Sequence, residues 1–282
     1  MKIIVLGSGT SHGIPVVGCF CPVCTSDESK DNRMRSSVYI EGAGGEKVLI
    51  DAGPEFRLQA LRAGICGLDA IFLTHSHADH VHGLDDVRPF CREKPLPVYG
   101  NKLTIAEMTG RFSYVFGAEA QRGGGKPRLL PQVVNGPVRI GGLTLTPVPV
   151  KHGIFDILGW EVRETAFPVE KSNSFLYLTD TSAIPPSSLK QLRLLDGISR
   201  RVLIIGGLRV RPHETHFTFK GAMSAALTLG AKEVYLTHLC HEHSHVEIME
   251  ICRHFVESEQ VSGLSPEGML INPAWDGLEI NL

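Results

Sequence analysis

The sequence has little surplus charge of either sign. Its 28 Lys and Arg nearly balance 30 Asp and Glu, for a net charge of −2. No broad basic field is therefore present to draw nucleic acid nonspecifically. That disfavours a processive nuclease, although a local basic patch is compatible with it. Long apolar runs are missing too, and no stretch reaches the length that spans a bilayer. Met1 to Leu6 is a short apolar run behind one Lys that enters Gly7-Ser8-Gly9. It is too short for the core of a signal peptide and is read as a first strand. The expected location is cytoplasmic, where the seven cysteines are thiols or metal ligands rather than disulfides. No linker-like stretch divides the chain. Residues 1–282 are read as one domain, large enough to bury a full core without staples.

What the sequence does contain is concentrated at Thr74-His75-Ser76-His77-Ala78-Asp79-His80. Ala70-Ile71-Phe72-Leu73 before it reads as a buried strand, and Val81 to Val87 after it as the first turns of a helix. His75 and His77 alternate around Ser76, so in an extended segment they point the same way. Asp79 and His80 lie past the bend and point elsewhere. One ion does not accommodate all four side chains at this spacing, so two adjacent ions are the natural reading. The remaining ligands must come from distant parts of the chain. His152, Asp180 and His238 each stand where a predicted strand ends.

Elsewhere, strands are expected at 2–6, 37–40, 47–51, 96–99, 138–140, 143–150, 157–163, 174–179, 202–205 and 233–237. Helices are expected at 55–62, 102–111, 185–195 and 218–229. Ser244-His245-Val246-Glu247 fits a capping box, followed by an apolar stripe at Ile248, Ile251, Cys252, Phe255 and Val256. The segment 117–136, with Gly123-Gly124-Gly125, is the expected mobile insert. Strands outnumber helices and come in both hairpins and strand–helix–strand units. The pattern suggests an α/β (α+β) arrangement of two face-to-face sheets with helices outside, the site lying where strand ends from both halves meet.

A second group of candidate ligands is Cys19-Phe20-Cys21-Pro22-Val23-Cys24, within a Gly/Pro-rich metal-binding loop over 10–35. Three thiolates need a fourth ligand to close a tetrahedral zinc site. His241, three residues after His238, is the best placed. Cys240, His243 and His245 are alternatives, although the capping box puts His245 inside a helix start. Cys66, Cys91 and Cys252 are read as packing residues.

The order His-x-His-x-Asp-His, then a distant His, an Asp and a His, resembles the metallo-β-lactamase fold. That resemblance implies a four-layer αββα sandwich. It implies a first metal on His75, His77 and His152, a second on Asp79, His80 and His238, and Asp180 bridging them. Gly7-Ser8-Gly9-Thr10-Ser11-His12-Gly13-Ile14-Pro15, the Cys19-x-Cys21-x-x-Cys24 loop, Arg33, Arg35 and Ser36 resemble the phosphoribosyl 1,2-cyclic phosphodiesterases. The pyrroloquinoline quinone protein B group shares a Cys-x-Cys-x-x-Cys loop. The cyclic phosphodiesterase resemblance implies two catalytic divalent ions, zinc or manganese, and one structural zinc. It implies hydrolysis of a small cyclic or nucleotide-like phosphodiester by water that the metal pair activates. His216 is the candidate proton donor and His213 its competitor; Asp79 is placed with His216 among the catalytic groups. Asp51 is expected to orient a ligand His. Thr10, His12 and Arg35 are candidates for the phosphate pocket. The expected partner is a small-molecule phosphodiester rather than nucleic acid or a membrane, and a homodimer is compatible with the sequence. The alternatives are an RNA-processing endonuclease of the tRNase Z type, a non-phosphodiesterase metal protein, and a thioester or lactam hydrolase.

If His241 completes the thiol group, the N-terminal loop is tied to the strand end that delivers His238. Cys21→Ala is then expected to lower both phosphodiesterase activity and catalytic metal content without removing any catalytic ligand. Metal analysis beside an activity assay checks it, and unchanged values for both would refute the coupling.

Overall fold

In the first strand Ile3 and Val5 face one way and Ile4 and Leu6 the other, and both pairs are buried among apolar partners. Strand side chains alternate with period two, so this strand has a core on each face. The same holds at Phe175 and Tyr177 against Leu176 and Leu178. These strands belong to inner layers.

The computed structural model describes residues 1–117, 125–164, 174–193, 201–261 and 268–282. Its first half carries β1 (Lys2–Gly7), β2 (Ser37–Glu41), β3 (Lys47–Ile50), α1 (Phe56–Arg62), β4 (Ala70–Phe72) and α2 (Ala78–Val81). β5 (Leu96–Gly100), α3 (Lys102–Arg111), α4 (Ser113–Phe116) and β6 (Leu129–Val133) follow. The second half carries β7 (Val138–Ile140), β8 (Leu143–His152), β9 (Phe155–Glu164), β10 (Ser174–Leu178), α5 (Pro186–Arg193) and β11 (Arg201–Gly206). It ends with α6 (Phe219–Thr228), β12 (Glu233–Thr237), α7 (His245–Val261), β13 (Leu270–Pro273) and β14 (Glu279–Asn281).

The strands form two seven-stranded sheets, ordered β14-β1-β2-β3-β4-β5-β6 and β13-β12-β11-β10-β9-β8-β7. Between them lies a shared core that includes Ile3, Ile40, Phe72, Trp160, Phe175 and Ile204. α1 and α3 cover the outer face of the first sheet through Phe56, Ala60, Ile105 and Met108. α6 and α7 cover the second through Phe219, Met223, Ile248 and Cys252. This is the αββα sandwich that the motif order implied. Among the described residues no helix is long and apolar enough to cross a membrane.

The helix ends follow local chemistry. Thr218 caps α6 by accepting from the Gly221 N–H at 3.0 Å, and Asn101 caps α3 by accepting from the Thr104 N–H at 2.8 Å. At α7 the Ser244 N–H donates to Glu247 at 2.7 Å and the Glu247 N–H to the Ser244 hydroxyl at 3.3 Å, which is a capping box.

Some expectations are corrected. The helix expected over 81–87 is instead the short α2, which already contains Asp79 and His80, followed by a 3-10 stretch at Leu84–Cys91. Gly83 lies between the two, and only glycine fits there, because a Cβ would lie 2.0 Å from the Gly53 carbonyl. Within 117–136, residues 118–124 lie outside the described residues, but 129–133 form β6 rather than a mobile insert. β6 contains Pro131 and β13 ends in Pro273, and both strands sit at sheet edges, where proline is tolerated. The expected end of α5 at Leu195 also lies outside the described residues. Cys91 and Cys252 pack as expected, but Cys66 is exposed, on the loop after the Gly64 turn that closes α1.

Asp276 latches the two ends of the chain. Its buried carboxylate accepts from the Ser8 N–H and hydroxyl, each at 2.9 Å, and from the Met34 N–H at 2.8 Å. Asp276→Ala is expected to cost about 3 kcal/mol by stranding these donors, read from the urea unfolding midpoint. Burial pushes this carboxyl up to about 6 from its usual 3.8. The folded state therefore holds the proton more tightly than the unfolded state. The group adds stability as pH falls from about 6 to about 4 and loses it as pH rises. Asp276→Asn should remove that slope from the stability–pH profile.

Candidate metal centre

The site is made of strand ends. Asp51 follows β3, His75 lies just past β4, His152 ends β8, Asp180 lies two residues past β10 and His238 follows β12. Burial on both faces roots β3, β4 and β10, so the side chains at their ends start from a fixed position. The non-glycine residues with positive φ among those described are Asp51 (62°), Asp180 (52°) and His238 (57°). Such backbone persists where the surroundings over-determine it, and it concentrates at functional sites.

Two sets of donor atoms converge here, each set lying within 4.8 Å: His75, His77 and His152 in one, and Asp79, His80, Asp180 and His238 in the other. Asp180 reaches both. Its carboxylate lies 3.8 Å from Nε2 of His75, 3.4 Å from Nε2 of His80 and 2.9 Å from Nδ1 of His238. All seven side chains expected as catalytic ligands are thus brought together. All but His77 are buried.

The chemistry of this set fits divalent cations. Nε2 of His75 is buried without a hydrogen-bond partner, which a buried polar atom rarely tolerates, and Nε2 of His80 faces the Asp79 and Asp180 carboxylates at 3.2 and 3.4 Å. Three buried carboxylates, Asp51, Asp79 and Asp180, surround them. Burial alone would push the His80 imidazole down, yet Asp79, Asp180 and Asp51 hold it well above its usual range. Burial and the neighbouring His80 push His75 well below its own. The carboxylates thus favour positive charge at the position of His80.

Residues 46–239 match the β-lactamase superfamily domain. The chain belongs to that superfamily. It is 36 % identical to a solved diphosphatase of the PhnP family, with a TM-score of 0.80, covering 100 % of this chain and 97 % of that one. It is 39 % identical over 254 residues to an octanoyltransferase of Porphyromonas gingivalis, covering 88 % of this chain. The match takes in 49 % of that relative, so the chain spans about half its length. Zinc-bound PqqB from Methylobacterium extorquens shares the fold at a TM-score of 0.72 and 17 % identity, over the whole of both chains. The superfamily fold is that of metal-dependent hydrolases and implies divalent metals.

In this superfamily member three of the rings have an outer partner on Nδ1. His80 Nδ1 lies 2.7 Å from Asp51, His152 Nδ1 lies 2.9 Å from the Thr215 carbonyl, and His75 Nδ1 lies 3.0 Å from the Thr74 hydroxyl. Asp51 also accepts from the Thr74 N–H and hydroxyl, both at 2.8 Å. A single carboxylate therefore braces His80 directly and His75 through Thr74. Between the two ligand-loop histidines, the Ser76 hydroxyl donates to Glu107 and the Ser76 carbonyl accepts from Arg111, both from α3. Sequence reasoning anticipated Asp51 and missed Thr74, Thr215, Glu107 and Arg111. Their residue types are common, and their partners are fixed only by the fold.

His216 lies 4.8 Å, ring to ring, from both His152 and His238. With His152 and Asp180 it forms another possible donor set. His213 is exposed, 5.0 Å further out. Arg35 donates to the Ser11 carbonyl through Nε and to the Glu55 carboxylate through Nη1, and it is outside the donor sets. His12 is exposed and outside the donor sets. A cavity of about 260 Å³ opens on His75, His77 and His152, walled by Leu103, Glu107, Arg111 and Phe155. The larger cavity, about 730 Å³, lies away from the donor sets, between Phe56 and Phe90.

Cys19, Cys21, Cys24 and His241 form the thiol group, and each Sγ lies 3.4 Å from Nδ1 of His241. Tetrahedral zinc with bonds of about 2.3 Å to sulfur and 2.0 Å to nitrogen sets that separation at roughly 3.5 Å. The group therefore fits zinc. The Cys24 N–H, then His241, pull the Cys21 thiol down to about 6, while burial pushes Cys24 up to about 11. Among the described residues the alternatives to His241, namely Cys240, His243 and His245, stand outside this donor set. Their backbone is tied to the loop: the Cys240 and His243 carbonyls accept from Arg33 at 2.7 and 3.1 Å, and the His245 N–H donates to Asp31 at 2.7 Å.

Asp51→Asn should weaken divalent metal binding at both catalytic sets about 10–100-fold, because it loosens two rings at once. Metal titration checks this. A loss confined to His80's set would mean that Thr74 holds His75 unaided.

Proposed function

We propose that the chain is a dinuclear metal-dependent phosphodiesterase for a small cyclic or nucleotide-like phosphoric diester. The observation that carries this reading is the pair of donor sets sharing Asp180, with His216 beside both. His75, His77 and His152 would hold one divalent ion, Asp79, His80 and His238 the other, with Asp180 between them and zinc or manganese as the ions. A metal pair so held lowers the pKa of water and neutralises phosphate charge. Cys19, Cys21, Cys24 and His241 would hold a structural zinc.

The chain's own residues do the rest. Asp51, Thr74 and Thr215 fix the ligand rings. The cavity of about 260 Å³ suits a sugar phosphate better than a folded RNA, which speaks against the tRNase Z alternative. His216 stands where it could protonate the departing oxygen. Burial, then His238, push it down to about 3, so to act as donor it would need a neighbouring anionic phosphate to favour its protonated form. The 36 % identity to a PhnP-family diphosphatase supports a phosphoryl substrate.

A second reading is thioester hydrolysis, favoured by the octanoyltransferase relative. Its discriminating result is turnover of an octanoyl thioester without turnover of any phosphodiester.

Metal-loaded protein should hydrolyse bis-(p-nitrophenyl) phosphate, and His77→Ala should lose that activity. His216→Ala should slow an alkyl or cyclic diester about 10²–10⁴-fold. It should slow the p-nitrophenyl ester far less, since that leaving group departs without a proton. Equal losses on both substrates would remove His216 as donor, and no phosphodiester turnover at all would sink the proposal.

A further inference from the structure

His238 is held the other way round from its neighbours. In His75, His80 and His152 the outer partner sits on Nδ1, at 3.0, 2.7 and 2.9 Å. In His238 Nδ1 faces inward, 2.9 Å from Asp180, and Nε2 meets the Thr10 hydroxyl at 3.0 Å. Thr10 is 228 positions away in sequence and buried.

We propose that Thr10 is the positioning residue for His238. Its hydroxyl accepts the Nε2–H, and the Nδ1 lone pair is thereby kept pointed at the second donor set. The inference rests on the two-ion reading of the site but not on any substrate.

Three features support this assignment. The Thr10 N–H donates to the Leu239 carbonyl at 3.1 Å, and the Leu239 N–H donates to the Ser8 carbonyl at 3.0 Å. The chain on either side of Thr10 is thus stitched to the residue after His238, and the hydroxyl has little freedom to move. The Ser36 hydroxyl, 3.5 Å from Nδ1, is committed to the Gly9 carbonyl at 2.9 Å. It therefore has no proton to give to the inward lone pair. His238 itself sits at φ 57°, a backbone state that needs outside support. A ring with no hold on its outer nitrogen could turn and offer either nitrogen inward.

The test is manganese titration of the full chain after chelator dialysis and return of one equivalent of zinc, since thiolates favour zinc and the His/Asp sets accept manganese. Thr10→Val keeps the shape and removes the hydroxyl; Thr10→Ala repeats the deletion should Val fail to fold; Thr10→Ser restores it. The expected result is one ion retained as in the wild type and the other weakened about 10–100-fold in the Val and Ala variants. The Ser variant should bind like wild type, and the melting temperatures of the chelated proteins should agree. Unchanged binding of both ions in the hydroxyl-less variants overturns the inference alone, as does equal weakening in the Ser variant. A wild type that takes up fewer than two manganese ions overturns the two-ion reading and this inference with it.

Discussion

The site depends on keeping buried negative charge tolerable. Asp51, Asp79 and Asp180 lie together at the edge of the sandwich, each with under a tenth of its surface exposed. Carboxylates so buried are held only by opposite charge or dense hydrogen bonding. His80 answers part of that need through contacts of 2.7, 3.2 and 3.4 Å to the three acids. One imidazolium does not balance three carboxylates, and His75 is pushed away from taking a second proton. Divalent cations would supply that balance, and in doing so would meet the unpartnered Nε2 of His75. Read this way, the strained backbone at Asp51, Asp180 and His238 is a consequence: strand ends must turn sharply for their side chains to meet between two sheets.

The second requirement is that both halves of the sandwich stay in register, because the donors come from both. The loop over 8–36 performs this in several independent ways. Thr10 meets His238, Arg33 grips the Cys240 and His243 carbonyls, and Asp31 accepts the His245 N–H. Arg33 is fully buried and paired with Asp31 at 3.1 Å. Charged bonds of this kind are the strong ones. The thiol group at His241 is a further tie to the same stretch, 238–245. Loss of an ion there would leave the Arg33 and Asp31 contacts in place. On the proposed reading, coupling from the thiol group to His238 would work by loosening a loop still anchored through Arg33 and Asp31.

Much of the fold was legible because its strands alternate cleanly and its helices carry strong caps. β12 was expected and found at Glu233–Thr237, and Ser244 with Glu247 marked α7. The edge strands β6 and β13 were not legible, because proline inside a short run argues against a strand unless its edge position is known. The convergence of the seven donors was legible because strand ends and spacing narrow the choice of His and Asp. The pairing of Arg35 with Glu55 was not legible, since a basic residue near a predicted phosphate pocket says nothing about the acid that the fold brings to it. Thr10 and Thr74 were beyond reach as ring partners. A threonine in a loop has no pattern of its own, and its importance comes from a ring that only the folded chain brings near.

The cavity beside the metal-binding sets joins two demands. α3 presents Glu107 and Arg111 to Ser76, between His75 and His77, and the same two side chains wall the cavity. A substrate group that reached them would touch the clamp that holds the ligand loop. Altering those residues to admit a different substrate would also disturb the geometry of His75 and His77. Leu103 and Phe155 line the same cavity and are about half exposed. They carry no such burden, since neither braces a ligand. On the proposed reading, substrate choice can therefore vary along this apolar wall while the polar wall stays fixed by the metal site it supports.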